Sequence, residues 1–219
     1  MTKVAFLENA SRSSETVSLQ RTCMQAGIRS LLPGEASLIG NVVAKAFADD
    51  PVNLWAFNGT KAMPAAFTAM ARHYYLRRGF GHVTGDGKSG TLWVPPGISK
   101  NYGVTGNVSL ATAILMKGGL KALRRGIAID NALMKKHPVQ PHYYLFAIAV
   151  DPNAQGMGYG SQLMAQALRK IDADHKPAFL ENSKAANIPF YERHGFRILE
   201  KIAPVPGCPP MWLMWRDAQ

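Results

Sequence analysis

The chain of 219 residues has few cysteines, few acidic residues and no long hydrophobic run. Its two cysteines, Cys23 and Cys208, form no CxxC pattern, so neither a disulfide framework nor a zinc site is indicated. The most apolar run in the middle of the chain, 110–116, falls far short of the roughly 18 residues that span a bilayer. The apolar residues 4–7 are too few for a signal peptide, whose apolar region takes about 7–15 residues. We therefore expect a soluble, cytoplasmic protein with no metal and no membrane contact.

The shortage of acidic residues gives the chain a strong positive charge. Lysine and arginine number 25 against 14 aspartates and glutamates, which leaves a formal net charge of +11. Such a charge favours a poly-anionic partner. Several basic residues lie between 110 and 137, where a solvated helix face is the simpler interpretation. Because no DNA- or RNA-reading motif is visible, we expect no nucleic-acid partner.

The apolar pattern predicts one α/β domain over residues 27–219, after a flexible or loosely docked arm over 1–26. The nearly continuous apolar run 142–150 is typical of a central strand, and 177–180 of a second buried strand. With an amphipathic helix over 158–172, these strands form a β-α-β unit. The pattern also predicts strands at 27–32, 81–84, 91–94, 196–202 and 211–216, and helices at 38–47, 62–78, 110–137 and 188–194, with glycines interrupting the helical region 110–137 at 118–119 and at 126.

A glycine-rich segment, Gln155-Gly156-Met157-Gly158-Tyr159-Gly160-Ser161, lies between the central strand and the predicted helix. Glycines let the backbone approach a ligand closely, and the bare N–H groups of a first helical turn attract phosphate. The segment lacks the lysine of a Walker-type loop, and too few α/β alternations follow for a doubly wound dinucleotide fold. From these residues alone, a tight turn and a phosphate site both stay open.

Two motifs together resemble the GNAT acyltransferase superfamily. The segment 155–160 matches its Gln/Arg-x-x-Gly-x-Gly/Ala signature, and 187–196 matches its Asn-x-x-Phe-Tyr-x-x-x-Gly-Phe element. The segments 47–51, 93–97, 142–145 and 180–183 look more narrowly like the branch of puromycin N-acetyltransferase. The resemblance implies an α/β (α+β) GNAT fold: a mixed, mostly antiparallel sheet with helices on both faces and a splay between two parallel central strands.

The resemblance also implies that acetyl-CoA is bound as a co-substrate in that splay. Backbone groups of Ile148 and Val150 would pair with the pantetheine amides, and Asn187 would hold the pantetheine arm or merely cap its helix. The pyrophosphate would lie on the glycine-rich segment, at Gln155, Gly156, Met157, Gly158, Gly160 and Ser161.

The resemblance assigns catalytic roles to two further residues. Tyr191 would donate its phenolic proton to the departing thiolate, whereas without the family it would simply pack its helix onto the sheet. Glu181, at the end of the second splayed strand, is the candidate base, although a solvated strand-end charge is an alternative. The strand before the glycine-rich segment holds no carboxylate where many relatives have one, so a water chain or an already neutral amine could replace the base.

We expect the acceptor pocket to form from the first helices, the hairpin and the final strands. Asp50, Trp55 and Trp93 are candidate substrate-binding residues, although Asp50 could simply end a helix and the tryptophans could be core. The leading hypothesis is acetyl transfer to a primary amine of a small molecule, such as an antibiotic or another xenobiotic, by a monomer or homodimer. Acetylation of a protein lysine or amino terminus, and a non-catalytic acyl-CoA sensor, are the alternatives.

Overall fold

The computed structural model describes residues 27–219, and its framework is one seven-stranded sheet. Its strands are Ile28–Ser30 (β1), Phe80–Thr84 (β2), Ser89–Val94 (β3), Tyr143–Val150 (β4), Ala178–Asn182 (β5), Arg197–Ile202 (β6) and Met211–Arg216 (β7). They follow the spatial order β1-β2-β3-β4-β5-β7-β6. The predicted arm over 1–26 lies outside the described residues.

Helices connect and cover these strands. The longer ones are Ala36–Ala46 (α1), Pro51–Phe57 (α2), Met63–Met70 (α3), Gly103–Lys136 (α4) and Tyr159–Ala173 (α5), and the short helix Ile188–Glu192 (α6) follows β5. A π-helical segment, Ala71–Tyr75, and a final turn, Leu76–Arg78, extend α3 toward β2. Gly79 directly precedes β2, and its Cα lies close to the Trp93 carbonyl group. A Cβ at this position would lie 1.9 Å from that oxygen, so only glycine fits.

β4 and β5 are the parallel pair of the sheet, and they separate after three residue pairs. Their register runs from Tyr143 opposite Ala178 to Leu145 opposite Leu180, while β4 stays paired with β3 as far as Val150. β5 continues to Asn182 against β7 instead. Beyond Leu145, the β5-facing edge of β4 therefore has no strand partner among the described residues. This geometry confirms the predicted mixed, mostly antiparallel sheet with a splay.

Both faces of the sheet are covered, as predicted. One apolar cluster joins α1 and α3 to the sheet through Ile39, Phe67 and Leu92. The other joins α5 to the opposite face through Met164, Ile171 and Leu180. Side chains of β4 alternate between the two clusters, except at a bulge opposite Leu92 and Trp93, where Phe146 and Ala147 both belong to the first cluster.

The fourth helix differs from its predicted form. It begins at Gly103 rather than 110. Of its two predicted interruptions, the one at 118–119 is confirmed by Gly119, whose φ is 75°, whereas Gly126 stays helical. The first turns contain Gly103 and Gly106, and glycine disfavours helix. Tertiary packing overrides that preference: Gly106 lies against His73, and a Cβ at this position would come within 2.8 Å of the histidine Cβ.

Candidate active site

A cavity of about 920 Å³ occupies the space between the diverging strands and extends under α4. Its wall contains most of the residues that the sequence singled out for binding or catalysis. These are Asp50, Ile148, Val150, Gln155, Gly156, Gly158, Gly160, Ser161, Glu181, Asn187 and Tyr191. Residues that are distant in sequence therefore meet at one site, and the splay creates the space for a ligand of drug size.

The glycine loop, residues 155–161, forms one end of this cavity. Gly156 and Gly158 have φ values of 79° and 81°, which glycine adopts without strain. Gly158 is the N-cap of α5 and supplies no side chain to cap it, so bare N–H groups of the first turn face the cavity end. A pyrophosphate fits this arrangement of backbone donors and helix dipole. Met157 is exposed and its side chain does not line the cavity, so its binding role within the loop stays a prediction.

The free edge of β4 forms the adjoining wall. Ile148 and Val150 pair with β3 through Thr91 and Ser89 on the other edge. The Gln155 side chain donates to the Val150 carbonyl oxygen at 3.4 Å, a long hydrogen bond that fixes the loop to the strand end. An extended amide ligand could add to this edge as a strand does.

Asn187 occupies the N-cap position of α6 but does not cap it through its side chain. Its backbone is already helical, at φ −88° and ψ −11°, whereas a capping asparagine usually has extended backbone. The capping interpretation is therefore wrong at the level of the side chain. Because Asn187 lines the cavity instead, its amide group is available to a ligand.

Tyr191 lies on α6 with its ring buried against Phe190 and Phe196. Within residues 27–219, no group hydrogen-bonds its hydroxyl, although the residue lines the cavity. Burial, and secondarily the negative charge of Asp50, raises the pKa of this phenol well above its usual value. Tyr191 therefore stays protonated at neutral pH and can donate a hydrogen bond or a proton into the cavity.

Glu181 lies at the point where β5 leaves β4. The Tyr144 hydroxyl donates to Glu181 Oε2 at 2.8 Å, and His137 Nδ1 lies 3.9 Å from Oε1. Burial, followed by the charge of Glu181, raises the pKa of Tyr144, which keeps that phenol a donor. The carboxylate side chain is only 9% exposed, so the interpretation as a solvated strand-end charge is wrong.

The three residues predicted to bind the acceptor amine take different positions. Asp50 lines the cavity and also caps α2, because its carboxylate accepts from the Asn53 N–H at 2.8 Å and from the Ser183 hydroxyl. Trp55 lies outside the cavity, with the Arg125 guanidinium 4.1 Å from its ring centre. Trp93 is fully buried and parallel to Phe80 at 6.3 Å. Neither tryptophan lines the cavity, so their predicted role in substrate binding is corrected: Trp93 belongs to the core, and Trp55 packs against Arg125.

The inner face of α4 is the part of the site that the sequence did not indicate. Its basic residues Lys117 and Lys121 are exposed, as expected for a solvated face, but Leu110, Ile114 and Leu123 line the cavity. An ion pair between Lys100 and Asp130 lies on the same wall, beside Tyr102. The signal in the sequence that could have indicated this inner face is the pair of apolar residues Leu110 and Ile114, which lie four positions apart.

The described residues contain no group of three histidine, cysteine or acidic side chains that could hold a metal ion. Within the same range, no helix has both the length and the apolar character needed to cross a membrane.

Comparison with known proteins bears on this site directly. Residues 122–198, which include β4, the glycine loop and α6, match the family model described as the acetyltransferase (GNAT) domain. Over this stretch the chain is similar to a GNAT acetyltransferase domain. An uncharacterized N-acetyltransferase of Schizosaccharomyces pombe is 27% identical over 170 residues, covering 72% of this chain and 68% of that protein. Together these matches make the protein an acyltransferase.

Solved structures agree on the fold. A Corynebacterium glutamicum structure described as histone acetyltransferase HPA2 and related acetyltransferase superposes with a TM-score of 0.64, at 24% identity, over 88% of this chain and 96% of that one. Arylalkylamine N-acetyltransferase 2 of Aedes aegypti gives a TM-score of 0.58 at 12% identity, over 88% of the acyltransferase and 100% of that chain. The puromycin N-acetyltransferase branch stays a prediction.

Proposed function

We propose that the acyltransferase moves an acetyl group from acetyl-CoA to a primary amine of a small molecule within a ternary complex. The observation that carries the proposal is the continuity of one cavity from the glycine loop, past Tyr191, to Glu181. It brings an anion site, an acid and a carboxylate to a single space. When bound, acetyl-CoA would supply a thioester carbonyl for attack by the amine.

The chain's own residues support each step. The glycine loop would hold the pyrophosphate, the edge of β4 and Asn187 would hold the pantetheine arm, and a β4 N–H would stabilise negative charge on the carbonyl oxygen. Glu181 would take the proton that the amine loses. Tyr191, held neutral by its buried setting, would donate its proton to the leaving sulfur.

The lining of the acceptor end favours a small amine with an apolar body. Phe67, Ile114 and Leu123 surround this end, and α4 covers it, whereas a peptide needs an open groove. Asp50 and Glu181 add two carboxylates that no lysine or arginine pairs with among the described residues, and these would attract an ammonium group. The segments that look like puromycin N-acetyltransferase point in the same direction, toward an aromatic antibiotic amine. The cytoplasmic location and the monomeric or homodimeric state stay predictions.

An amine screen that detects free thiol tests the proposal. We expect release of coenzyme A only when a primary amine is added, with arylalkylamines and aminonucleosides more active than lysine peptides. The N-acetylated form of each amine is the matched control, because it keeps the body of the acceptor and lacks the nucleophile. Faster turnover of peptides would support the protein-acetylating alternative. Tight acetyl-CoA binding with no turnover of any amine or peptide would indicate a sensor.

A further inference from the structure

Two histidines lie behind Glu181 and form a row with it. His137 Nδ1 is 3.9 Å from Glu181 Oε1, and His137 Nε2 is 3.1 Å from His142 Nε2. His142 Nδ1 in turn lies 2.6 Å from the Gln140 carbonyl oxygen. Neither histidine lines the cavity. The row therefore leads from the candidate base away from the acceptor.

The carbonyl at the end of the row fixes the tautomer of both rings. A carbonyl oxygen only accepts, so His142 Nδ1 must carry a hydrogen. Burial lowers the pKa of His142, which favours its neutral form. A neutral imidazole has one N–H, so His142 Nε2 is an acceptor and His137 Nε2 must be the donor between the rings.

This assignment leaves His137 Nδ1, the atom nearest Glu181, as the ring nitrogen that can gain a proton. An ionised Glu181 opposite a neutral His137 would place two acceptors face to face. One added proton instead makes an imidazolium and carboxylate pair, which is electrostatically favourable. At 3.9 Å, His137 Nδ1 and Glu181 Oε1 are within ion-pair distance but beyond direct hydrogen-bond distance, so one bridging water or a small approach of the side chains would carry a proton between them.

The surroundings of His137 leave an exit for that proton. The His137 side chain is 29% exposed, whereas that of Glu181 is 9% exposed. The Tyr144 ring lies 5.2 Å from the His137 ring, and its hydroxyl is bound to Glu181. The preceding Lys136 is paired with Glu200 on β6 at 2.8 Å. Glu181, Tyr144 and His142 are therefore the titratable groups that lie against the ring, and the exposed part of the ring is its route to solvent.

We propose that His137 accepts the proton that Glu181 removes from the acceptor amine and passes it to solvent. The inference rests on the proposed function. An amine N–H bond breaks as an O–H bond forms on Glu181. That O–H bond then breaks as Nδ1–H forms on His137, with one bridging water or a closer approach of the two side chains completing the path, and the imidazolium then loses a proton to solvent water. No electrons are exchanged, both groups return to their starting state, and His142 acts as a positioning residue that holds the tautomer of His137.

The variant His137→Gln separates this role from packing. The glutamine amide can still donate to His142 but cannot take up a proton. We expect kcat to fall about tenfold at neutral pH, with a shallower acid limb in the pH profile and recovery when imidazole buffer is added. His175→Asn, at an exposed histidine with φ 48°, is the matched control and should keep wild-type kinetics. Unchanged kcat and pH profile in His137→Gln would overturn the proposal.

Nitrogen-15 NMR of the wild-type rings gives a readout that does not depend on turnover. We expect the Nδ1–H tautomer for His142 and a hydrogen on Nε2 of His137. An Nε2–H tautomer of His142 would overturn the proposal, whatever the kinetics. Wild-type protein that shows the expected tautomers yet releases no thiol with any amine would instead count against the proposed function, so the two failures are distinguishable.

Discussion

The hydroxyl of Tyr191 is the single group whose chemistry most limits the proposed reaction. Tyr191 is buried, and this burial raises the pKa of its hydroxyl. The hydroxyl has no hydrogen-bond partner among the described residues. Tyr191→Phe removes only the acidic proton and keeps the ring against Phe190. We expect kcat to fall about 10²-fold while the affinity for acetyl-CoA changes little. Steady-state kinetics with calorimetric titration of coenzyme A measure the two quantities separately.

A second buried tyrosine provides the control for this substitution. The Tyr143 hydroxyl donates to Asp174, and burial with that hydrogen bond raises its pKa to about 12, but the residue does not line the cavity. Tyr143→Phe should lower the free energy of unfolding by about 1 kcal/mol and leave kcat unchanged. Equal kcat in the two variants would remove Tyr191 from the mechanism.

At the level of elements, the start of α5 depends on glycine in the left-handed region. Gly158 has φ 81° at the N-cap, and Gly97 has φ 78° in a turn away from the cavity with open space around it. Alanine at either position should cost about 1–2 kcal/mol of stability. We expect only Gly158→Ala to weaken coenzyme A binding as well, by about tenfold, because it disturbs the bare N–H groups. Thermal unfolding and calorimetry test this, and a similar loss of affinity in Gly97→Ala would contradict it.

Elements set by local sequence signals could be predicted, whereas elements set by contacts between distant segments could not. β4, the glycine loop and α5 carry local signals, namely an apolar run, glycine spacing and an amphipathic period, so their positions were confirmed. The start of α4 and the burial of Trp93 depend on contacts with distant segments. Local propensity favoured a loop at Gly103, and an exposed binding role for Trp93 was compatible with its neighbours in sequence. Packing of Gly106 against His73 decides the first, and burial of Trp93 within the sheet decides the second.

At the scale of the whole molecule, the net charge of +11 should act on the approach of the negatively charged co-substrate. Arg193 and Lys184 line the cavity, although Lys184 is paired with Asp49. Steering by such a field weakens as salt shortens the Debye length, from about 30 Å at 0.01 M to about 10 Å at 0.1 M. We expect kcat/KM for acetyl-CoA to fall several-fold over this range while kcat stays constant.

An uncharged thioester isolates the cause of this salt effect. Acetyl-pantetheine carries the reacting group and the amides but none of the phosphates, so the protein's field has no net charge to attract. Its kcat/KM should be lower at every salt concentration, since the glycine loop has no pyrophosphate to bind, and it should be independent of salt. A salt dependence equal to that of acetyl-CoA would mean that salt acts on the protein or on the amine, and that the positive charge serves another purpose.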